Sequence, residues 1–273
     1  MWYLLAVAVA ALQQVNIQER SYFEYITNHR RRRGLMRTCG FGPRMPILYK
    51  EDHRPLHRRN AADRQRQRSV LGLPRRPRKA HRGGLSFTET ALTGLPENKP
   101  DNGMDGYEFV LMMPKQAGST GISHVSIDWN PKGHIPPGVY DVPHFDVHFY
   151  LASTKERMKM TLDEASMKKC QKKPDAKLLP AGYIYAPQGE VKYMGAHWVD
   201  VKSPELNGSP FTHTFIYGTY DARVVFLEPM VTRAFLEGKA AVNAPIKQPE
   251  TYQLAGKYFP TKYMSTRSPS KAS

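Results

Sequence analysis

At 273 residues the chain is long enough for one large domain or two small ones. Its formal net charge of +16 is unevenly spread: residues 1–84 carry 19 Lys and Arg against 5 Asp and Glu, and residues 85–273 carry 21 against 19. The near-neutral larger part excludes a nucleic-acid reading based on whole-chain charge, and two cysteines, Cys39 and Cys170, exclude a disulfide framework.

Taken in chain order, Met1–Leu12 is an apolar run too short to span a bilayer, which needs about 20 residues. It is compatible with the hydrophobic region of a secretory signal, with Ala8-Val9-Ala10 as a small-residue cleavage site, although no Lys or Arg precedes it. A genuine signal would make the protein secreted or periplasmic; without one it would be cytoplasmic. Residues 13–84 hold Arg30–Arg33, the alternating Arg-Gln run at 64–68 and Pro-Arg-Arg-Pro-Arg-Lys at 74–79, with few apolar side chains. Such a segment cannot bury enough surface to offset an ordering entropy of about 1–2 kcal/mol per residue, so 1–84 reads as a signal-like and disordered extension. The favoured reading gives it no role of its own; the alternative is an arm for nucleic acid or an anionic membrane.

From Leu85 to Met264 short apolar runs alternate with turn signals. Tyr107–Met113, Ser123–Trp129, Pro143–Leu151, Gly182–Ala186, Ala196–Val201, Thr212–Tyr217 and Arg223–Leu227 read as strands, with Pro229 expected to end the last. Gly218–Ala222 has hairpin length, and the Gly- and Pro-rich 130–143 is a loop. Ser153–Lys169 reads as the single good helix, capped by Ser153 with Glu156 three residues on, and Thr232–Leu236 as one or two helical turns. Residues 265–273 read as a disordered tail. The pattern predicts a mainly β domain, an antiparallel sandwich or barrel over 85–264 with one helix.

The most informative stretch is Val142–Tyr150. Side chains alternate between the two faces of a strand, so His144, Asp146, His148 and Tyr150 share one face, while Phe145, Val147 and Phe149 share the other. The preceding strand places His124, Ser126 and Asp128 together in the same way. Imidazole with carboxylate suits a divalent transition metal such as zinc, iron, copper or manganese. Residues four apart on a strand lie roughly 13 Å apart, too far for His144 and His148 to bind one ion. The plausible pairs are therefore His144 with Asp146, or Asp146 with His148, completed from another strand. His197 and Glu228 are the preferred completions, followed by His213 and His134. A pocket for a small ligand would add His134, Tyr150, Trp198, His213 and Tyr217 as lining. The alternative needs no metal: Asp146 and the imidazoles form a hydrogen-bonded network.

Signatures of other chemistries are missing: Gly-x-Ser-x-Gly, the phosphate-cradling Gly-x-x-x-x-Gly-Lys-Ser/Thr loop, Gly-x-Gly-x-x-Gly and His-Glu-x-x-His. Cys170, read as lying at the end of an exposed basic helix, is incidental rather than nucleophilic. Asp200 and Glu205 are weak candidates for a general acid or base.

Several ordered blocks carry a resemblance. They are Asp128-Trp129-Asn130-Pro131-Lys132-Gly133-His134, His144-Phe145-Asp146-Val147-His148-Phe149-Tyr150, Gly195-Ala196-His197-Trp198, Phe211-Thr212-His213-Thr214-Phe215 and Phe226-Leu227-Glu228-Pro229-Met230. Over roughly 90–264 the chain resembles an uncharacterised bacterial domain family typified by a thermophile protein under extracytoplasmic sigma-factor control. The resemblance implies a β-rich fold, homo-oligomers and an envelope or stress context. It supplies no catalytic residues. The Arg-rich leader has no counterpart there, and a final strand after Thr261 is expected to be missing or replaced. Three functions stay open: a His/Asp-lined pocket for a small ligand or metal, a metal-dependent enzyme built on the same cluster, or a binding arm in the leader.

Overall fold

A period of two in the sequence becomes strand wherever it is strong. The computed structural model describes residues 2–9, 82–101 and 104–268. Its strands are β1 (Trp2–Val9), β2 (Arg82–Thr88), β3 (Tyr107–Met112), β4 (His124–Asn130) and β5 (His144–Tyr150). Two short helices follow, α1 (Thr154–Arg157) and α2 (Glu164–Cys170). Next come β6 (Tyr183–Val191), β7 (Gly195–Asp200), β8 (His213–Tyr220) and β9 (Arg223–Thr232). The helix α3 (Arg233–Glu237) leads to β10 (Val242–Pro245) and β11 (Pro260–Ser268).

Seven strands form one antiparallel sheet in the order β3-β4-β5-β9-β8-β7-β6, and four form a second in the order β10-β11-β1-β2. The mainly β class expected from the sequence is the class observed. One face of the large sheet packs on the small sheet: Val125, Ile127, Trp129, Val147, Phe149, Phe215 and Leu227 share a core with Leu85, Val242 and Tyr263. Each such fully buried side chain contributes about 1.5–3 kcal/mol. The other face lies under the helices and loops, in two apolar patches. Met160, Cys170, Met194 and Phe226 form one, and Tyr140, Val199, Phe211 and Met230 the other.

Several local expectations change. The single helix is two: Leu162 adopts φ 63° between them, which breaks the helical run. The Ser153–Glu156 capping box is present on α1. Cys170 is buried rather than exposed, and burial pushes its thiol up to about 12, so it is no thiolate at neutral pH. Pro229 does not end β9; the strand continues to Thr232, between β5 and β8. The β5–β9 register runs His144↔Thr232 to Asp146↔Met230 and resumes at Phe149↔Leu227, so the ladder is interrupted beside Pro229, which has no N–H to donate. The β8–β9 hairpin is also tighter than expected. Its two turn residues, Asp221 and Ala222, both have positive φ, as a type I′ turn requires.

Trp2–Val9, within the run read as signal-like, pairs with β2 on one edge and β11 on the other. Strand β11 reaches Ser268, into the segment read as tail. The rest of the Arg-rich leader, residues 10–81, and residues 269–273 lie outside the described residues. Among the described residues no helix is long and apolar enough to cross a membrane.

Candidate metal centre

The polar face of the large sheet is assembled by register. On β4 and β5, Ser126 lies opposite His148, Asp128 opposite Asp146 and Asn130 opposite His144. On the other side, Glu228 of β9 pairs with Ile216, and His197 of β7 pairs with Gly218. A Cβ at Gly218 would lie 2.1 Å from the Phe226 ring, which packs on both His148 and His197. The glycine thus lets an aromatic wall settle beside two imidazoles.

Among the described residues two triplets of side chains that could hold a metal ion result, each with one donor atom per residue within 4.8 Å of the others: His148 with His197 and Glu228, and His134 with His144 and Asp146. In the first, His148 Nε2 is 3.5 Å from Glu228 Oε1 and His197 Nε2 is 3.6 Å from Glu228 Oε2. In the second, the Nε2 atoms of His134 and His144 are 3.0 Å apart. They lie 3.2 Å from Asp146 Oδ2 and 3.1 Å from Asp146 Oδ1 respectively.

The ring orientations share one logic. Nδ1 of His197 sits 2.6 Å from the Gly189 carbonyl, Nδ1 of His144 2.6 Å from the Val142 carbonyl, and Nδ1 of His134 2.8 Å from the Ile135 carbonyl. A carbonyl only accepts, so each Nδ1 carries the proton and donates it. In a neutral ring that makes Nε2 the lone-pair nitrogen. His148 Nδ1 does the same toward Asp128 Oδ2 at 3.1 Å. All four rings therefore turn lone pairs toward a carboxylate, the arrangement of a carboxylate- or carbonyl-oriented metal ligand. In keeping with this, His148 Nε2, Glu228 Oε2 and Asp146 Oδ1 are buried without a hydrogen-bond partner. Each such atom costs about 1–3 kcal/mol unless something compensates it.

Without an ion, protons would have to serve. Burial alone would depress His148, but the Glu228 and Asp128 carboxylates outweigh it and hold the ring up to about 9. Burial raises Glu228 to about 8, against the opposing pull of His148. His134 is likewise depressed by burial but carried up to about 9 by Asp146. Burial would raise Asp146, yet His144 and His134 keep its carboxyl well below the usual range. His197 is driven down to about 4 by burial and by the neighbouring His148. A divalent ion between these atoms would take the place of the protons.

Further polar groups extend the face outward. Asn130 Nδ2 donates to Asp146 Oδ2 at 2.7 Å. The Ser126 hydroxyl lies 2.7 Å from Glu108 and 3.0 Å from Asp128, and Arg157 forms an ion pair with Glu108. His124 stacks on Tyr150.

Of the residues singled out from sequence, His144 and Asp146 do meet. Asp146 and His148 fall into different triplets, as do His144 and His148. His197 and Glu228 join His148, and His134 joins His144 rather than merely lining a pocket. Tyr150 lies on the polar face, wholly buried over Arg157. Trp198, His213 and Tyr217 lie on the opposite face. Trp198 and Tyr217 belong to the inter-sheet core, and His213 packs on Phe235 and Tyr263. The strand positions of these three are odd relative to the site, so period-two pairing turns them away. Asp200 is engaged by Lys247, and buried Glu205 accepts from the Tyr140 hydroxyl at 3.1 Å, so both are committed to structural contacts. Asp128 and Asn130 were missed as site residues, although the alternation of β4 already placed Asp128 beside His124 and Ser126. A cavity of about 390 Å³ is lined by Val142, Pro143, Phe211, Thr232, Arg233, Ala234 and Glu237, and by none of the six triplet side chains.

A family model described as TTHB210-like, hypothetical protein TTHB210, matches residues 78–129. The match supports a likeness to an uncharacterised family of unknown function, the class that the sequence resemblance implies. It spans β2, β3 and most of β4, including Glu108, Ser126 and Asp128, and stops before the triplets. No curated protein and no solved structure matches the chain.

Proposed function

We propose that this protein binds a divalent first-row transition metal through His148, His197 and Glu228. One observation carries the reading: two imidazoles, each held by a hydrogen bond at Nδ1, aim lone pairs at the two oxygens of one buried glutamate. The spacing supports it. Donors bonded at about 2.0–2.1 Å in a tetrahedral arrangement lie about 3.3–3.4 Å apart, and each imidazole here lies close to that distance from one Glu228 oxygen, His148 3.5 Å from Oε1 and His197 3.6 Å from Oε2. Direct hydrogen bonds would be shorter. Soft-ligand chemistry is not called for, since the donors are imidazole and carboxylate, which suit zinc, iron, copper or manganese.

Three protein ligands also leave a coordination position for water or substrate, which favours metal-assisted catalysis as the second reading. The test is elemental analysis of full-length protein purified without an affinity tag, followed by thermal unfolding with and without added metal. The expected result is at least one equivalent of bound metal or a rise in Tm on adding zinc, with both reduced in Glu228→Gln. Metal below a tenth of an equivalent, together with an unchanged Tm, would defeat the proposal.

A further inference from the structure

The other triplet does not take part in that site. We infer that His134, His144 and Asp146 form a second divalent-metal site, one that favours a six-coordinate ion and keeps three neighbouring coordination positions open. This extends the reading above to different residues, so either site can fail alone.

Its edges differ from those of the first. The His134 and His144 Nε2 atoms are 3.0 Å apart, and the Asp146 carboxylate reaches both, with Oδ1 3.1 Å from His144 and Oδ2 3.2 Å from His134. With metal–ligand bonds of about 2.1 Å these edges subtend roughly 95°, the angle between cis ligands on one face of an octahedron. The corresponding contacts of the first site, at 3.5–3.6 Å, subtend roughly 115°, nearer the tetrahedral angle. Two lone-pair nitrogens 3.0 Å apart repel unless a cation or a proton lies between them, and the adjacent Asp146 Oδ1 is buried without a hydrogen-bond partner.

The third ligand is delivered by a purpose-built loop. Gly133 has φ +64°, and a Cβ there would meet the Tyr140 carbonyl at 2.0 Å. The loop folds tightly enough for the His134 N–H to donate to that same carbonyl at 3.1 Å. His134 is also the most accessible of the six ligands, its side chain 22% exposed against 13% for His197 and 6% or less for the rest. The ligands exchanging at the open positions would enter beside this loop. Asp146 and His148 are two residues apart on β5, about 6–7 Å, so the two ions would be neighbours on one sheet face. Asp128, Asp146 and Glu228 bring three negative charges against four positive ones. A small anion, hydroxide or a carboxylate or phosphate group, would complete the balance.

Cobalt(II) tests this directly, because four-coordinate cobalt absorbs visible light intensely and six-coordinate cobalt weakly. Titration of the metal-free full-length chain is expected to take up two equivalents, one of each spectral type. His134→Ala should lose the weakly absorbing equivalent and keep the intense one, and His197→Ala the reverse; His134→Gln serves if the alanine variant does not fold. Unchanged stoichiometry in the His134 variant would overturn the second site and leave the first standing. Two intensely absorbing equivalents would overturn its six-coordinate character. No uptake by the wild type would overturn both sites and leave a proton-linked ionic cluster.

Discussion

Asp128 touches neither proposed ion, yet it decides how His148 presents itself, by accepting the Nδ1 proton at 3.1 Å. An amide at that position could offer its N–H to the ring and reverse the tautomer. Asp128→Asn should therefore weaken metal binding at the His148 site about 10–100-fold, the usual cost of losing such an orienting partner. A competition titration against a chromophoric chelator would measure it. An affinity equal to the wild type would show that Asp128 does not orient the ring. At this scale the sequence was partly legible. The one-face alignment of His144, Asp146 and His148 follows from the pleat alone, and so does the strand-length argument that separates His144 from His148. What alternation could not reveal was that Asp146 and His148 serve different partners. His134, lying in a loop without periodic signal, could be ranked only last among the completions.

Elements place those residues through a few positions where backbone chemistry is decisive. Gly218 opposite Phe226 is one. Gly218→Ala would force a methyl into the aromatic ring, and should cost about 1–3 kcal/mol in urea unfolding, as overpacking does. A variant as stable as the wild type would mean that the ring can shift freely. Ser153→Ala removes the α1 cap, in which the serine side chain accepts from Glu156 N, and should cost about 1 kcal/mol in the same assay. That cap was readable from the Ser-x-x-Glu spacing. The break at Leu162 was not, because a single left-handed residue inside a helical composition leaves no local signature. Pro229 misled for a related reason. Proline is rare inside a sheet, and the ladder tolerates it here only because pairing with β5 lapses beside it.

At the scale of the whole molecule the large sheet divides the chemistry, with an apolar face toward the second sheet and a buried polar face toward the helices. Keeping the His124 imidazole neutral on that buried face has a consequence for pH. Burial, and then the nearby Arg157 charge, hold His124 down to about 4, below its ordinary 6.5. The unfolded chain therefore binds more protons than the folded one between those values, and stability falls as pH drops from 6.5 toward 4. The contribution at the acid end is about 3 kcal/mol for a shift of that size. His124→Phe, which preserves the stacking on Tyr150, should flatten the stability–pH profile in that window. An unaltered slope would show that His124 does not carry it. The sequence by itself determined the strand-rich class and which side chains share a face, because strand period is a local property of a few consecutive residues. Only the tertiary structure decided that β5 lies beside β9, some eighty residues away, and that a loop histidine folds back onto it. Strand order and loop closure are set by burial of the whole sheet, which no local pattern encodes.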